Sequence, residues 1–136
     1  MDKEETSTER PKTSWSIALD WFLQNNRSMS ALIQPCLCPN CAKRLSEKGK
    51  AASPDAALSS IKDCCSHTPG FINDRLPILE GIFRLYLSNG NQPLDLDELG
   101  NQMSRLRGGD PYRTSPEALL RLLKNDRYYG LQETSD

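Results

Sequence analysis

A single histidine occurs in 136 residues, so acid–base catalysis by imidazole has one candidate position in the whole chain. No apolar run approaches the roughly 20 residues that a membrane-spanning helix needs. The start, Met1-Asp2-Lys3-Glu4-Glu5, is charged and has no apolar segment of signal-peptide type behind it. The formal net charge is only −1, which excludes a whole-chain polycation that coats nucleic acid but leaves room for a local basic face. No internal repeat is present, and Gly108-Gly109 is a loop that no phosphate-binding pattern follows. These absences predict a cytoplasmic protein with no membrane contact, built as one domain or as two very small units sharing a core.

Cysteine, by contrast, is concentrated. All five cysteines and the histidine fall between Gln34 and His67, in Cys36-Leu37-Cys38-Pro39-Asn40-Cys41 and Cys64-Cys65-Ser66-His67. Reducing buffers make structural disulfides rare in the cytoplasm, and five is an odd number for pairing. The pattern Cys38-x2-Cys41, residues 42–63, then Cys64-x2-His67 offers a four-ligand Cys3His set. Two residues between thiolates let a tight turn aim both sulfurs at one ion, and Cys64 and His67, three apart on a helix end, share a face. The Cys38-Pro39-Asn40-Cys41 turn resembles a zinc knuckle. The expected cofactor is therefore a structural Zn2+ held by Cys38, Cys41, Cys64 and His67 in a closed tetrahedral shell. Cys36 can replace a ligand if residues 36–38 are extended, since Cys36 and Cys38 then point the same way. Cys65, four after Ile61 and seven after Leu58, reads as a buried small apolar residue. An iron–sulfur cluster built from four of the thiols stays open as the other metal chemistry.

The periodicity predicts a mainly α protein with short strands. Residues 1–13 read as a disordered tail. A helix is expected from Ser14, with Trp15, Ala18, Leu19 and Phe22 on one face and Trp21 and Leu23 widening it. Met29–Ile33 is a short apolar segment. A short helix follows over 42–48, then a flexible link to Ser53. A helix capped by Ser53 with Pro54 at its first position runs through Ile61 to the second cluster. Asn73 or Asp74 can cap a helix bearing Leu76, Leu79, Ile82, Phe83 and Tyr86. Gln92–Leu96 is extended, and Asp95 caps a helix through Leu99, Met103 and Leu106. Thr114 or Ser115 with Pro116 opens the last helix, Tyr128–Leu131 is a short strand, and Gln132–Asp136 is a polar end. Two parts are expected: a Cys-rich helical part over 14–72 and a second unit over 73–132, with 133–136 as a tail.

The second unit is carried by Ile78-Leu79-Glu80 with Tyr86-Leu87, Gly90-Asn91-Gln92-Pro93-Leu94, Asp97-Glu98-Leu99, Arg113-Thr114-Ser115-Pro116-Glu117 and Arg127-Tyr128-Tyr129-Gly130-Leu131. In these residues it resembles a winged-helix domain of the HARE-HTH type, found in the delta subunit of bacterial RNA polymerase and in some chromatin and restriction proteins. The element Gly90-x2-Pro93-Leu94 is one residue longer than the family's Gly-x-Pro-Leu, and no Gly-rich wing hairpin precedes Tyr128. The resemblance implies DNA binding or contacts inside a transcription complex.

The local charge fits that implication. From Met103 to Arg127 the basic residues are Arg105, Arg107, Arg113, Arg121, Lys124 and Arg127, against Asp110, Glu117 and Asp126. Arg113, Arg121, Lys124 and Arg127 are the candidate nucleic-acid contacts, to phosphates or, for Arg121, to a guanine edge. The plainer alternative is a solvated helix face with a Glu117–Arg121 pair. Tyr128 and Tyr129 read as core and sheet residues. Asp95, Asp97 and Glu98 need no catalytic role, because acidic groups are stabilised in a helix first turn. The expected function is a non-enzymatic, zinc-binding adaptor that contacts nucleic acid or a transcription complex. Two other readings stand beside it. One is a protein-interaction module using Trp15, Trp21 and Phe22. The other is a thiol redox sensor in which Cys36, Cys38 and Cys41 lose metal on oxidation. The oligomeric state is not encoded in any of these features.

Overall fold

The computed structural model describes residues 13–47, 54–107 and 111–134. Among them are seven α-helices and a three-stranded antiparallel sheet. The elements are β1 (Ser14–Ile17), α1 (Leu19–Gln24), α2 (Met29–Ile33), α3 (Pro39–Glu47), α4 (Pro54–Asp63), α5 (Ile78–Ser88), β2 (Leu94–Asp95), α6 (Leu96–Arg107), α7 (Pro116–Lys124) and β3 (Leu131–Thr134). Short 3-10 turns occupy Gln34–Cys36, Cys65–His67 and Pro111–Thr114. The link expected over 49–53 and the tails at 1–12 and 135–136 lie outside the described residues.

The first correction is at the N-terminal end of the described chain. Residues 14–17 form a strand where the spacing of Trp15, Ala18, Leu19 and Phe22 predicts a helix. The sheet order is β2-β1-β3, with Trp15 opposite Leu94 on one side and Glu133 on the other, and Ile17 opposite Leu131. Trp15 and Ile17 point to one face of the sheet and Ser16 to the other, and all three are buried, so both faces of β1 are covered. β2 is too short to pair along the whole of β1. The Asn91 side chain takes over, accepting from the Ile17 amide at 2.8 Å and donating to the Ile17 carbonyl at 2.9 Å. Long-range pairing of this kind overrides local periodicity. The helix that follows, α1, is only six residues long and leaves Leu23 83 % exposed, so Leu23 does not widen a buried face.

The second correction is at the other edge. Tyr128–Leu131 is not a strand. The Asp126 carboxylate accepts from the amides of Tyr128, Tyr129 and Leu131, and Gly130 has φ +69°, so the chain turns there and β3 starts at Leu131. The polar end expected from Gln132 is therefore ladder up to Thr134. Tyr129 packs on Phe83, whereas Tyr128 is exposed under the Arg27 guanidinium.

The helix starts match their chemistry more closely. Asp95 accepts from the Glu98 amide, and Ser115 accepts from the Ala118 amide with Pro116 at the first helical position. Ser28 likewise caps α2, turning the apolar segment Met29–Ile33 into a helical turn. α5 begins later than expected, at Ile78 after Pro77. Its buried residues Ile82, Phe83 and Tyr86 face a core completed by Leu99, Met103, Leu119 and Leu123. The same apolar cluster continues into Ile33, Cys36, Cys41, Ile61 and Cys65, so the thiols sit at one end of the core rather than apart from it.

Helix α6 approaches the 3-10 turn before α7 most tightly at Gly100. A Cβ there would lie 2.6 Å from the Thr114 carbonyl oxygen, a backbone atom. At Gly81 the corresponding obstacle is Met103 Cε at 2.9 Å, the end of a flexible side chain. Gly100→Ala should therefore destabilise by about 1–3 kcal/mol through overpacking. Gly81→Ala should cost clearly less, because Met103 can turn away and alanine favours the helix. Urea unfolding of the two variants side by side checks this; equal costs would mean that the α6–turn contact is not tight.

Candidate metal centre

Three elements deliver the thiols. The 3-10 turn at Gln34–Cys36 leads into extended Leu37, and Cys38 immediately precedes α3. Pro39 occupies the first helical position, where a missing amide is harmless. Cys41 then lies in the first turn of α3, and the sulfur of Cys38 takes a cap acceptor's place toward the Cys41 amide. From the other side α4 ends at Asp63. Cys64 has φ −133° and ψ −63°, outside helical geometry, and Cys65 opens the next 3-10 turn.

The sulfurs of Cys38, Cys41 and Cys64 lie within 4.8 Å of one another. Cys65 adjoins the group: its sulfur accepts from the Cys38 amide at 3.1 Å, although it lies outside the set whose sulfurs are all within 4.8 Å of one another. Four thiols from two helix ends thus lie close together and form a possible metal site. All are free thiols. The break in helical geometry at Cys64 allows neighbouring residues to face one centre, which successive positions of a regular helix cannot do.

His67 is not brought into this group. It is exposed on the Cys65–His67 turn and lies outside the converging set. The helix end on which Cys64 and His67 were to share a face is absent, because α4 has already stopped. Cys36 is also elsewhere. Residues 34–36 are a helical turn rather than extended, and the Cys36 thiol is buried and donates to the Leu32 carbonyl at 3.6 Å. It is a core residue. Cys65, read from spacing as core, is both buried and part of the thiol group.

One residue beside the sulfurs was not anticipated. Arg44, one turn along α3 from Cys41, donates to the Cys41 sulfur at 3.4 Å and to Ser60 Oγ of α4 at 3.5 Å. It brings a positive charge to the Cys41 sulfur and bridges the two helices. The available signal was the spacing Cys41-x2-Arg44, which only a helix starting at Pro39 places on one face.

The thiols differ in acidity for identifiable reasons. The Cys41 amide, with hydrogen bonds from the Cys65 and Cys41 thiols, lowers Cys38 from the usual 9.0 to about 7. Cys64 is raised because its own S–H is given to the Cys41 and Cys38 sulfurs. Burial raises Cys65 to about 12 and Cys36 to about 11. Among Cys36, Cys38, Cys64 and Cys65, Cys38 is therefore the one whose charged form its surroundings favour.

The four candidate nucleic-acid residues are elsewhere. Arg113 is on the Pro111–Thr114 turn, Arg121 and Lys124 are in the last turn of α7, and Arg127 is in the Asp126 turn. All four are exposed. No ion pair among the described residues engages any of them, including the Glu117–Arg121 pair that the spacing allows. No described helix is long and apolar enough to cross a membrane. Compared with known proteins, the chain matches no family model, and no curated protein or solved structure is similar to it.

Proposed function

We propose that Cys38, Cys41, Cys64 and Cys65 hold one structural zinc ion, and that the chain is a non-enzymatic, zinc-stapled adaptor that contacts nucleic acid through its helical unit beyond Leu76. The convergence of sulfurs from the start of α3 and the end of α4 carries the metal part. Zn–S bonds of about 2.3 Å in a tetrahedron need sulfurs about 3.8 Å apart. Three sulfurs already within 4.8 Å reach that spacing by small side-chain rotations. Thiolates select zinc or iron–sulfur clusters over hard cations. A four-thiolate shell is closed, so the ion holds structure and activates no water. His67, on the same turn as Cys65, is the alternative fourth ligand and would restore the Cys3His composition. A coloured, iron-containing protein would replace zinc by a cluster.

The order helix, short strand, helix, helix, strand from α5 to β3 supports the nucleic-acid part. So does the unpaired, exposed state of Arg113, Arg121, Lys124 and Arg127. Cations free of protein partners are available to phosphates. Mobility shifts on random duplex DNA at low salt should show binding at micromolar protein. Arg121→Ala with Lys124→Ala should weaken it and reduce the steepness of its salt dependence by about one to two units. No shift, or a shift that the double substitution leaves unchanged, would remove this reading.

A second reading has its own observation. Leu23 and Leu19 are 83 % and 49 % exposed on α1, beside half-buried Trp21. An apolar helix face of this kind suits a protein partner. A stable complex recovered after nuclease treatment, and lost in Leu23→Glu, would favour a protein-interaction module over nucleic acid.

A further inference from the structure

The four sulfurs are not equally protected. Cys41 and Cys65 are 0 % and 1 % exposed, whereas Cys64 is exposed and Cys38 is half-buried. The sulfurs of these two more exposed residues lie within 4.8 Å of each other. They belong to different elements, Cys38 at the start of α3 and Cys64 after the end of α4. A covalent bond between them would join the same two helices that a shared ion joins. The molecule can therefore keep this junction while exchanging one kind of link for another.

We propose that the thiol centre is a peroxide-gated staple, in which a hydroperoxide oxidises Cys64, Cys38 closes a disulfide onto it, and the metal is released. This rests on the metal reading of the same residues. Metal ligation requires Cys64 to be deprotonated, and this thiolate attacks the terminal oxygen of the hydroperoxide; the O–O bond breaks and the remainder takes a proton and leaves as an alcohol, or as water from hydrogen peroxide. Cys64 is then a sulfenic acid. The Cys38 thiolate attacks that sulfur, the S–S bond forms, and hydroxide leaves as water after protonation. The sulfur pair has lost two electrons and the peroxide has gained two. Two of four ligands are then gone, and Cys41 and Cys65 alone cannot complete a tetrahedral shell. A thiol reductant returns both sulfurs to thiolates, and the ion can rebind.

The choice of Cys38 as the resolving residue follows from placement. Pairing Cys64 with its neighbour Cys65 would strain the intervening peptide. Cys41 also lies within 4.8 Å of Cys64, but it is fully buried and its sulfur is held by Arg44. Cys38 combines proximity with partial exposure.

The test uses the zinc-loaded full chain. Hydrogen peroxide is added, released zinc is followed with a chromophoric chelator, and the products are mapped by peptide mass spectrometry after alkylation. The expected result is one zinc released per disulfide, with the Cys38 and Cys64 peptides cross-linked and Cys36, Cys41 and Cys65 alkylated. Dithiothreitol and fresh zinc should restore the starting protein. Retained zinc, release with no disulfide, or a link that includes Cys41 would overturn the proposal. A protein that holds no metal before peroxide is added would overturn the metal reading, and the gating with it.

Discussion

Cys41→Ser should abolish metal retention and destabilise the protein by about 4 kcal/mol or more in the presence of zinc, a value set by an ion present at about a thousand times its dissociation constant. Structural zinc in finger peptides is worth about 10–16 kcal/mol of apparent binding energy near neutral pH, so that level of saturation is a low requirement. Cys41 is the sharpest place to test it. Its sulfur is fully buried, belongs to the converging set and receives the Arg44 guanidinium. The control is Cys36→Ala. Cys36 is also buried, but its thiol faces the Leu32 carbonyl and lies outside the thiol group. Its loss should cost about 1 kcal/mol, the scale of one deleted buried group, with zinc retained. Native mass spectrometry and urea unfolding with and without a chelator separate the two cases. Similar costs with no change in metal content would mean that Cys41 is only a core thiol.

The acid side of the stability curve carries the same signature. Metal binding needs deprotonated sulfurs, so zinc should leave as pH falls. In the metal-free protein Cys38 has its acidity raised to about 7 from the usual 9.0, chiefly by the Cys41 amide. A folded-state value below the unfolded one stabilises fully above the ordinary thiol value and is lost as pH falls through about 7. Metal-free protein should accordingly lose that contribution between pH 9 and 7.

Trp15→Ala should cost about 3–5 kcal/mol, the range for removing a large buried aromatic side chain. Trp15 lies in the central strand of the sheet, between Leu94 and Glu133, and is buried. Its indole Nε1–H has no hydrogen-bond partner among the described residues. Trp15→Phe should for that reason recover most of the loss, since only packing is reduced. Chemical denaturation gives both values. A cost below about 1 kcal/mol for Trp15→Ala would place residue 15 on a peripheral element rather than between two strands.

The contrast between β1 and the later helices explains what could be read from the chain. Helices α4, α6 and α7 have local signals: Pro54, Asp95 and Ser115-Pro116 at their starts, with apolar residues at three- and four-residue spacing. Local chemistry determined those elements, and it was legible. Residues 14–17 owe their conformation to partners about 80 and 120 positions away in the chain. Nothing in Ser14-Trp15-Ser16-Ile17 distinguishes a strand from the start of an apolar helix. The Asn91 side chain that completes the pairing of Ile17 is equally invisible without the fold.

The thiol site was legible in part for the same reason. Cys38-x2-Cys41 is a local pattern and it forms at a helix start. The partner half differs at His67, which the structure leaves outside the three-sulfur set. Spacing from Cys64 assumed a continuing helix, but α4 stops at Asp63 and the following turn sends Cys65 rather than His67 toward Cys38. The spacing of Cys65 from Ile61 and Leu58 marks it as buried, and a sulfur facing inward can also serve an ion. Arg113, Arg121, Lys124 and Arg127, the candidate nucleic-acid contacts, are exposed.

X-ray absorption at the zinc edge of the purified full chain tests the central claim most directly. A shell of four sulfurs at about 2.3 Å with one zinc per chain is the predicted result. Imidazole scattering in place of one sulfur would put His67 in the shell instead of Cys65. Absence of metal from protein with free thiols would contradict the metal centre itself.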